Sequence, residues 1–546
     1  MATHQVTNQP PPLDDYNLFD QDPALVDGVT REGAGWAEER LHDLGARAGS
    51  PEAIAWGEDA NRHPPVLRTH DRYGNRIDQV DYHPSYHQLM AVAVEAGLHG
   101  SPWRQEAGRP GAHVARAAGF YLWSQVDAGH GCPISMTYSV LPALRAAPEV
   151  LARWQPRLTS PAYDPSSQPA AHKAGALAGM AMTEKQGGSD VRANTTTAVA
   201  APDEGGYRLT GHKWFCSAPM GDLFLVLAQA PGGLTCFAMP RWLPDDERNR
   251  VFLQRLKDKL GNRSNASSEI ELDEAWAERV GDEGRGVATI IEMVNHTRLD
   301  CVIGAASGMR QAVAQAAHHC AYRRAFGRRL AEQPLMANVL ADLAVESEAA
   351  TITALRLAGA YDRAPGDDHE DRFRRLGTAV AKYWLCKRHP VVAAEALECL
   401  GGNGFVEESM MPRLFRDSPL NGIWEGSGNV ICLDVLRAMA RAPQSVEAFW
   451  AEVGRAQGAD HRLDTAADDL RRSLVATSDP ELVARRLVEK MALVLQGALL
   501  VRHGHPAVAD AFCASRLEGD SGRALGTLPP GIDLRSIIER ATPKLG

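Results

Sequence analysis

At 546 residues the chain exceeds what one hydrophobic core supports, and 44% hydrophobic with 23% charged residues describes a globular protein of several domains. A net charge of −10 excludes non-specific nucleic-acid binding by the molecule as a whole. Its nine scattered cysteines form no CxxC pair and no histidine cluster stands with them at ligand spacing, which argues against a zinc frame or disulfide scaffold and fits reduced thiols in the cytoplasm.

The first fifteen residues lack a basic start and an apolar core, so no export signal is expected. The first thirty are rich in Pro and Asp and read as an extended arm. From about Arg31 to Trp154 the apolar period is helical, and 160–173 reads as a loop. Short β-forming runs then follow at 195–199, 207–210, 223–228, 235–239, 251–253 and 270–272, with Gly205-Gly206 and Gly232-Gly233 as turns. That spacing predicts a compact antiparallel barrel or sandwich. The helical period returns near 286–322, 334–362, 372–401 and 430–440, enough for a four-helix bundle, and Gly401-Gly402-Asn403-Gly404 supplies a helix stop. The last hundred residues are helical again, with Asp479-Pro480 as a start signal. The apolar run 491–501 is too short to span a bilayer and reads as a buried helix, so no membrane partner is expected.

Two runs can carry chemistry. Met182-Thr183-Glu184-Lys185-Gln186-Gly187-Gly188-Ser189-Asp190 lies where the strands begin, and Ile423-Trp424-Glu425-Gly426-Ser427-Gly428-Asn429 precedes the last bundle helix. Oxidising a carbon–carbon bond beside a thioester needs a carboxylate on one side of the substrate and a two-electron acceptor on the other. Glu425, on a Gly-rich turn, can be aimed into a cavity as that base. No GxGxxG follows a strand, so a flavin held by another fold is the acceptor to consider.

Together, and in this order, the two runs resemble the acyl-CoA dehydrogenase family. The resemblance implies that family's fold: mainly α with a central antiparallel β-barrel, here with an extra C-terminal helical domain. It divides the chain at 1–180, 181–283, 284–444 and 445–546, with one FAD between barrel and bundle. Glu425 matches the family's catalytic glutamate; Thr297, before Arg298, stands where some members carry the base instead and cannot serve. The cofactor contacts implied on the barrel are Met182, Thr183, Glu184, Lys185, Gln186, Gly187, Gly188, Ser189, Asp190 and Val191, then Phe215, Cys216 and Ser217. On the bundle they are Arg323 and Phe326, which serve the flavin of a neighbouring subunit, then Gly401 and Gly402, then Trp424, Gly426, Ser427, Gly428 and Asn429. Departures at Lys185, Gln186, Ala325 and Glu398 put an ordinary fatty acyl-CoA substrate in question.

With the N-terminal arm, the run 255–265 and the helical tail, these departures resemble the adaptive-response branch, the AidB-like proteins. That likeness implies a homotetrameric FAD protein with weak acyl-CoA dehydrogenase activity that binds double-stranded DNA through its C-terminal region and answers DNA alkylation. A small electrophile or an acyl-CoA would be its ligand. The tail carries 13 Lys+Arg against 14 Asp+Glu, and the DNA candidates are Arg471, Arg472, Arg485, Arg486, Arg502 and Arg516. The competing reading of those arginines is a solvated face with helix-surface ion pairs. Arg437 is a further candidate for the cavity of Glu425, against a plain surface arginine. Two alternatives stand beside this function: a metabolic acyl-CoA dehydrogenase whose tail serves assembly only, and a protein in which FAD is a structural remnant.

Overall fold

The computed structural model describes residues 3–476 and 479–545. Its chain forms two compact units, one of Met1–Ile54, His113–Gln125 and Cys301–Gly546, the other of Ala55–Ala112 and Val126–Asp300.

The second unit is built on a sheet of seven strands: β3 (Ala178–Ala181), β4 (Thr197–Ala201), β5 (Gly206–Ser217), β6 (Leu223–Ala230), β7 (Gly233–Pro240), β8 (Val251–Leu256) and β9 (Ser267–Val280). The ring closes because β6 pairs with β7 as well as β4, while β5 and β9 join the other sides. Most pairings are antiparallel, but β3–β6 and β4–β6 are parallel. Strand β6 is apolar on both faces and buried at every position but Gln229, which is half-buried. Val226, Phe237, Leu253, Ile270 and Leu272 fill the barrel core.

A hairpin precedes the barrel, β1 (Val66–His70) and β2 (Arg76–Asp81), within the stretch expected to be helical. Its strands alternate polar and half-buried positions and carry few apolar residues, so no apolar period marks them. The expected extended arm is also corrected in part. Residues 23–31 form the helix Pro23–Arg31, with Asp22 accepting from the Leu25 N–H and proline in the first turn.

In the first unit the helices Pro334–Arg363, Asp368–Cys399 and Gly428–Arg441 pack with the part of Gly286–Tyr322 from Cys301 onward. Asp367 caps the second of these by accepting from the N–H groups of His369 and Glu370. The tail adds Pro443–Gly454, His461–Ala476, Ala484–His503, Pro506–Phe512 and Leu534–Ala541. The start expected at Asp479-Pro480 falls later, at Ala484.

The tail is bound to the bundle by buried charge. Arg356, on Pro334–Arg363, sits between Glu370 of the next helix and Glu452 of the tail, with all three nearly inaccessible. Glu452 also receives Arg455 and Arg502. Among the described residues, no helix is long and apolar enough to cross a membrane, and no cluster of ligating side chains could hold a metal ion.

Candidate functional site

Glu425 is half-buried on the turn between Leu420–Gly422 and Gly428–Arg441. Its φ of +58° lies in the left-handed region that a residue with a Cβ seldom enters, and Gly426 follows at +107°. The turn is fixed from several sides. Lys382, buried on Asp368–Cys399, donates to the carbonyl oxygens of Trp424 (2.9 Å) and Gly426, the residues on either side of Glu425. The Trp424 indole N–H donates to Asn421 at 2.8 Å. A Cβ on Gly428 would stand 3.0 Å from Lys387 Cε, a tight approach to which the end of that lysine would have to yield. Asn429 accepts from Arg485 Nε at 2.8 Å, a contact from the tail into this loop. Sequence reasoning missed Lys382, although a lysine within the apolar run 376–386 was a signal for it.

Thr297 donates its hydroxyl to the Val294 carbonyl at 3.0 Å, the ordinary bond of a helical threonine. Arg437 is exposed and pairs with Asp434 at 3.6 Å, so its place is that of a helix-surface arginine.

Arg323, Phe326, Gly401 and Gly402 gather at the other end of the bundle. Cys320 Sγ lies 3.8 Å from the Cys399 carbonyl oxygen, which joins the two helix ends. Asn8 accepts from Arg323 through its carbonyl and from the Arg324 N–H through its side chain, and Gln9 accepts from Asn403. Phe326 is 99% exposed at the tip of a hairpin turned by Phe326 (φ +52°) and Gly327 (φ +82°). Lys382 and Cys399 stand on one helix, roughly 25 Å apart at 1.5 Å per residue. The fold therefore does not bring these residues to Glu425 within one subunit.

On the barrel, Met182 to Val191 form a loop held from beneath by Glu184. Its carboxylate is buried, receives Lys213 Nζ at 2.8 Å, and accepts from the N–H groups of Thr195 and Thr196. Burial alone would raise its pKa, but the bonds from Lys213 and the 195–196 segment hold it down at about 2. The Glu184 side chain thus braces the loop from inside the barrel. Lys185 through Asp190 are exposed, with Met182, Thr183 and Val191 half-buried. A Cβ on Gly188 would meet the Thr183 hydroxyl at 2.5 Å, so only bare backbone fits there.

Cys216 faces the barrel core, and burial pushes its thiol up to about 12. Its neighbours in β5 project the other way: Phe215 is exposed under Lys257, and Ser217 Oγ lies 3.3 Å from Ser267 Oγ. Lys257 Nζ also covers the face of Trp214 at 3.2 Å from the ring centroid. The loop offers the peptide N–H of Gly188 and the hydroxyls of Thr183 and Ser189, a donor set that fits a flavin, while the Gly187 N–H is taken by the Glu184 carbonyl oxygen at 3.0 Å.

The DNA candidates divide. Arg516 is corrected: it is an internal brace, its guanidinium buried against Asp342 and Glu346, because the tail folds back onto the Pro334–Arg363 helix. Arg502 is likewise committed to Glu452 at 2.9 Å. Arg471 pairs with Asp468 and lies over Trp450, and Arg472 is 3.8 Å from Asp469. Arg485 and Arg486 are exposed, and among the described residues no carboxylate forms an ion pair with either.

Comparison with known proteins bears on both halves. Family models match the chain as the Adaptive response protein AidB N-terminal domain over 8–165, the acyl-CoA dehydrogenase middle domain over 179–275 and its C-terminal domain over 284–440. AidB of Escherichia coli (strain K12) is 44% identical over 95% of both chains. The structure of Caenorhabditis elegans ACDH-11 in complex with C11-CoA is similar with a TM-score of 0.86 at 27% identity, over 94% of each chain. An acyl-CoA dehydrogenase complexed with FAD from Bacillus anthracis, 18% identical, shares the fold with a TM-score of 0.68 over 98% of this chain and 95% of its own.

Proposed function

Because the chain belongs to the acyl-CoA dehydrogenase family, whose members are FAD-dependent oxidoreductases, we propose that it oxidises an acyl thioester with Glu425 as the base. The observation that carries this reading is the left-handed Glu425-Gly426 turn, a strained conformation fixed by a buried lysine. Bound FAD supplies the two-electron acceptor. The carboxylate of Glu425 removes the α-proton of the thioester. In the barrel unit, bare backbone at Gly188 and the hydroxyls of Thr183 and Ser189 would hold part of that large planar ligand. The C11-CoA of the worm structure supports an acyl-CoA as the ligand class. The placement of Arg323 and Gly401 far from Glu425 supports an assembly in which that end serves a neighbouring copy's cofactor, as the homotetramer implied by the AidB likeness would provide.

Anaerobic mixing of the FAD-loaded protein with short, branched and medium-chain acyl-CoAs tests the reading through bleaching of the flavin band. Glu425→Gln should slow it by about 10²–10⁴-fold, the usual worth of a general base. No bleaching by any acyl-CoA, or an unslowed Glu425→Gln, would reject it.

A second reading is favoured by the identity to AidB: duplex DNA binding through the tail in a response to alkylation. The exposed Arg485 and Arg486 support it on that face, together with the outer arginines Arg471 and Arg472. Salt-dependent retardation of a duplex by the full chain supports it; absence of binding at low salt returns the protein to acyl-CoA metabolism.

A further inference from the structure

Buried lysines are rare because an ammonium loses its hydration inside a protein, and most recover it from a carboxylate. Among the described residues three lysines are buried. Lys173 pairs with Asp222 and Lys213 with Glu184, both at 2.8 Å. Lys382, 1% exposed, differs from both. Among the described residues no carboxylate forms an ion pair with it, and its donors go to the peptide oxygens of Trp424 and Gly426.

Those two oxygens flank Glu425. The backbone between them takes positive φ at consecutive residues, +58° and +107°, and the first is not a glycine. Such a conformation persists only where the surroundings over-determine it. The ammonium is compact and can turn its donors toward two acceptors at once. It is mounted on the long Asp368–Cys399 helix, which is capped by Asp367 at one end. One turn beyond, Cys386 Sγ meets the Cys301 carbonyl oxygen at 3.6 Å, tying the same helix to Gly286–Tyr322. The cation therefore stands on a rigid element and reaches into an irregular one.

We propose that Lys382 is the positioning residue for the base: it locks the 424–426 turn in the conformation that aims the Glu425 carboxylate, without touching substrate itself. The assignment rests on the reading of Glu425 as the base. A lysine that served only general stability would not act selectively on this turn.

The test uses the full-length, FAD-loaded protein with Lys382→Met, which keeps the apolar stem, and Lys382→Arg, which keeps the charge. Hydrogen exchange of the 423–428 amides reads the turn directly. Anaerobic single-turnover bleaching by an acyl-CoA reads the chemistry. In Lys382→Met, exchange at 424–427 should rise at least tenfold, while the Asp368–Cys399 helix keeps its protection. The limiting bleaching rate should fall by about ten- to a hundredfold, with acyl-CoA affinity within about threefold, since orientation and not binding is lost. Lys382→Arg should recover part of both.

Wild-type exchange at 424–427 in Lys382→Met overturns the clamp. Should that variant not fold, Lys382→Gln, shorter and uncharged, takes its place, and wild-type exchange at 424–427 in it overturns the clamp equally. A fall in affinity matching the fall in rate also overturns it, since the lysine would then serve binding. If no acyl-CoA bleaches even the wild-type flavin, the proposed function fails, while the exchange measurement still decides what Lys382 does.

Discussion

Glu452→Gln should expose how the tail is held. Glu452 is fully buried, accepts two bonds from Arg356 at 3.1 and 2.9 Å, and receives Arg455 and Arg502 at 2.9 Å each. Burial alone would raise its pKa, but Arg356 first, then Arg455 and Arg502, bring it from 4.5 down to about 2. At ~1.4 kcal/mol per unit, that shift amounts to ~3 kcal/mol of stability at neutral pH. The figure agrees with the ~3–5 kcal/mol lost when one partner of a buried ion pair is removed. A depressed carboxylate contributes fully above its unfolded value and loses its contribution as pH falls through the folded one. The contribution is therefore whole at pH 7 and should shrink by ~1 kcal/mol at pH 4 and ~2 kcal/mol at pH 3. Urea unfolding followed by helical circular dichroism, at pH 7, 4 and 3, measures it, and the neutral melting point should drop by ~3–5 °C. A variant with the wild-type midpoint at pH 7, or a deficit that does not narrow toward pH 3, would refute the argument.

The barrel should respond to Lys213→Met in the same currency. Removing the cation leaves Glu184 buried without its partner, so a loss of ~3–5 kcal/mol is expected. The 182–191 loop rests on that carboxylate, so flavin content per protein should fall as well; full flavin content with an unchanged melting point would contradict this. Arg516→Ala should lower the melting point and leave duplex binding alone, because Arg516 faces Asp342 and Glu346. Arg485→Ala with Arg486→Ala should do the reverse, reducing the slope of log affinity against log salt by up to ~2. Retardation assays at stepped salt, with calorimetry alongside, would show the opposite ranking if the arginines have been misassigned.

How much of this was legible in the sequence depended on whether a feature is local. The bundle helices were placed within a few residues because apolar side chains recur at helical spacing over thirty residues, and the stop at Gly401-Gly402 is chemical. The hairpin Val66–His70 with Arg76–Asp81 was lost because its strands bury little. Strand Ala178–Ala181 was lost for another reason: Ala-Gly-Met-Ala has no β-forming signature, and only its neighbours in the barrel make it a strand. The turn around Glu425 was readable as glycines beside a glutamate, but its clamp was not. Lys382 lies more than forty residues upstream, and pairing at that distance leaves no periodic trace. Arg516 was misread as surface charge because its partners Asp342 and Glu346 are more than 165 residues away.

That misreading changes how a DNA role has to be tested. Deleting 445–546 would remove Glu452, Arg502, Arg516 and Arg540 together. Arg356, Asp342, Glu346 and Glu348 would lose partners they meet in buried positions. Phe449 and Phe512, both fully buried, would also be withdrawn from the interior. The truncated chain would therefore fail to bind DNA whether or not the tail recognises it, and loss of flavin would accompany that failure. Substitution at the exposed positions avoids the confusion. The Arg485–Asn429 contact lies only four residues from Glu425, so a duplex seated on Arg485 should also alter exchange in the 423–428 segment. Duplex binding that leaves those amides unchanged would place the DNA surface elsewhere on the tail. Binding that protects them would link the two halves of the proposed function through one arginine.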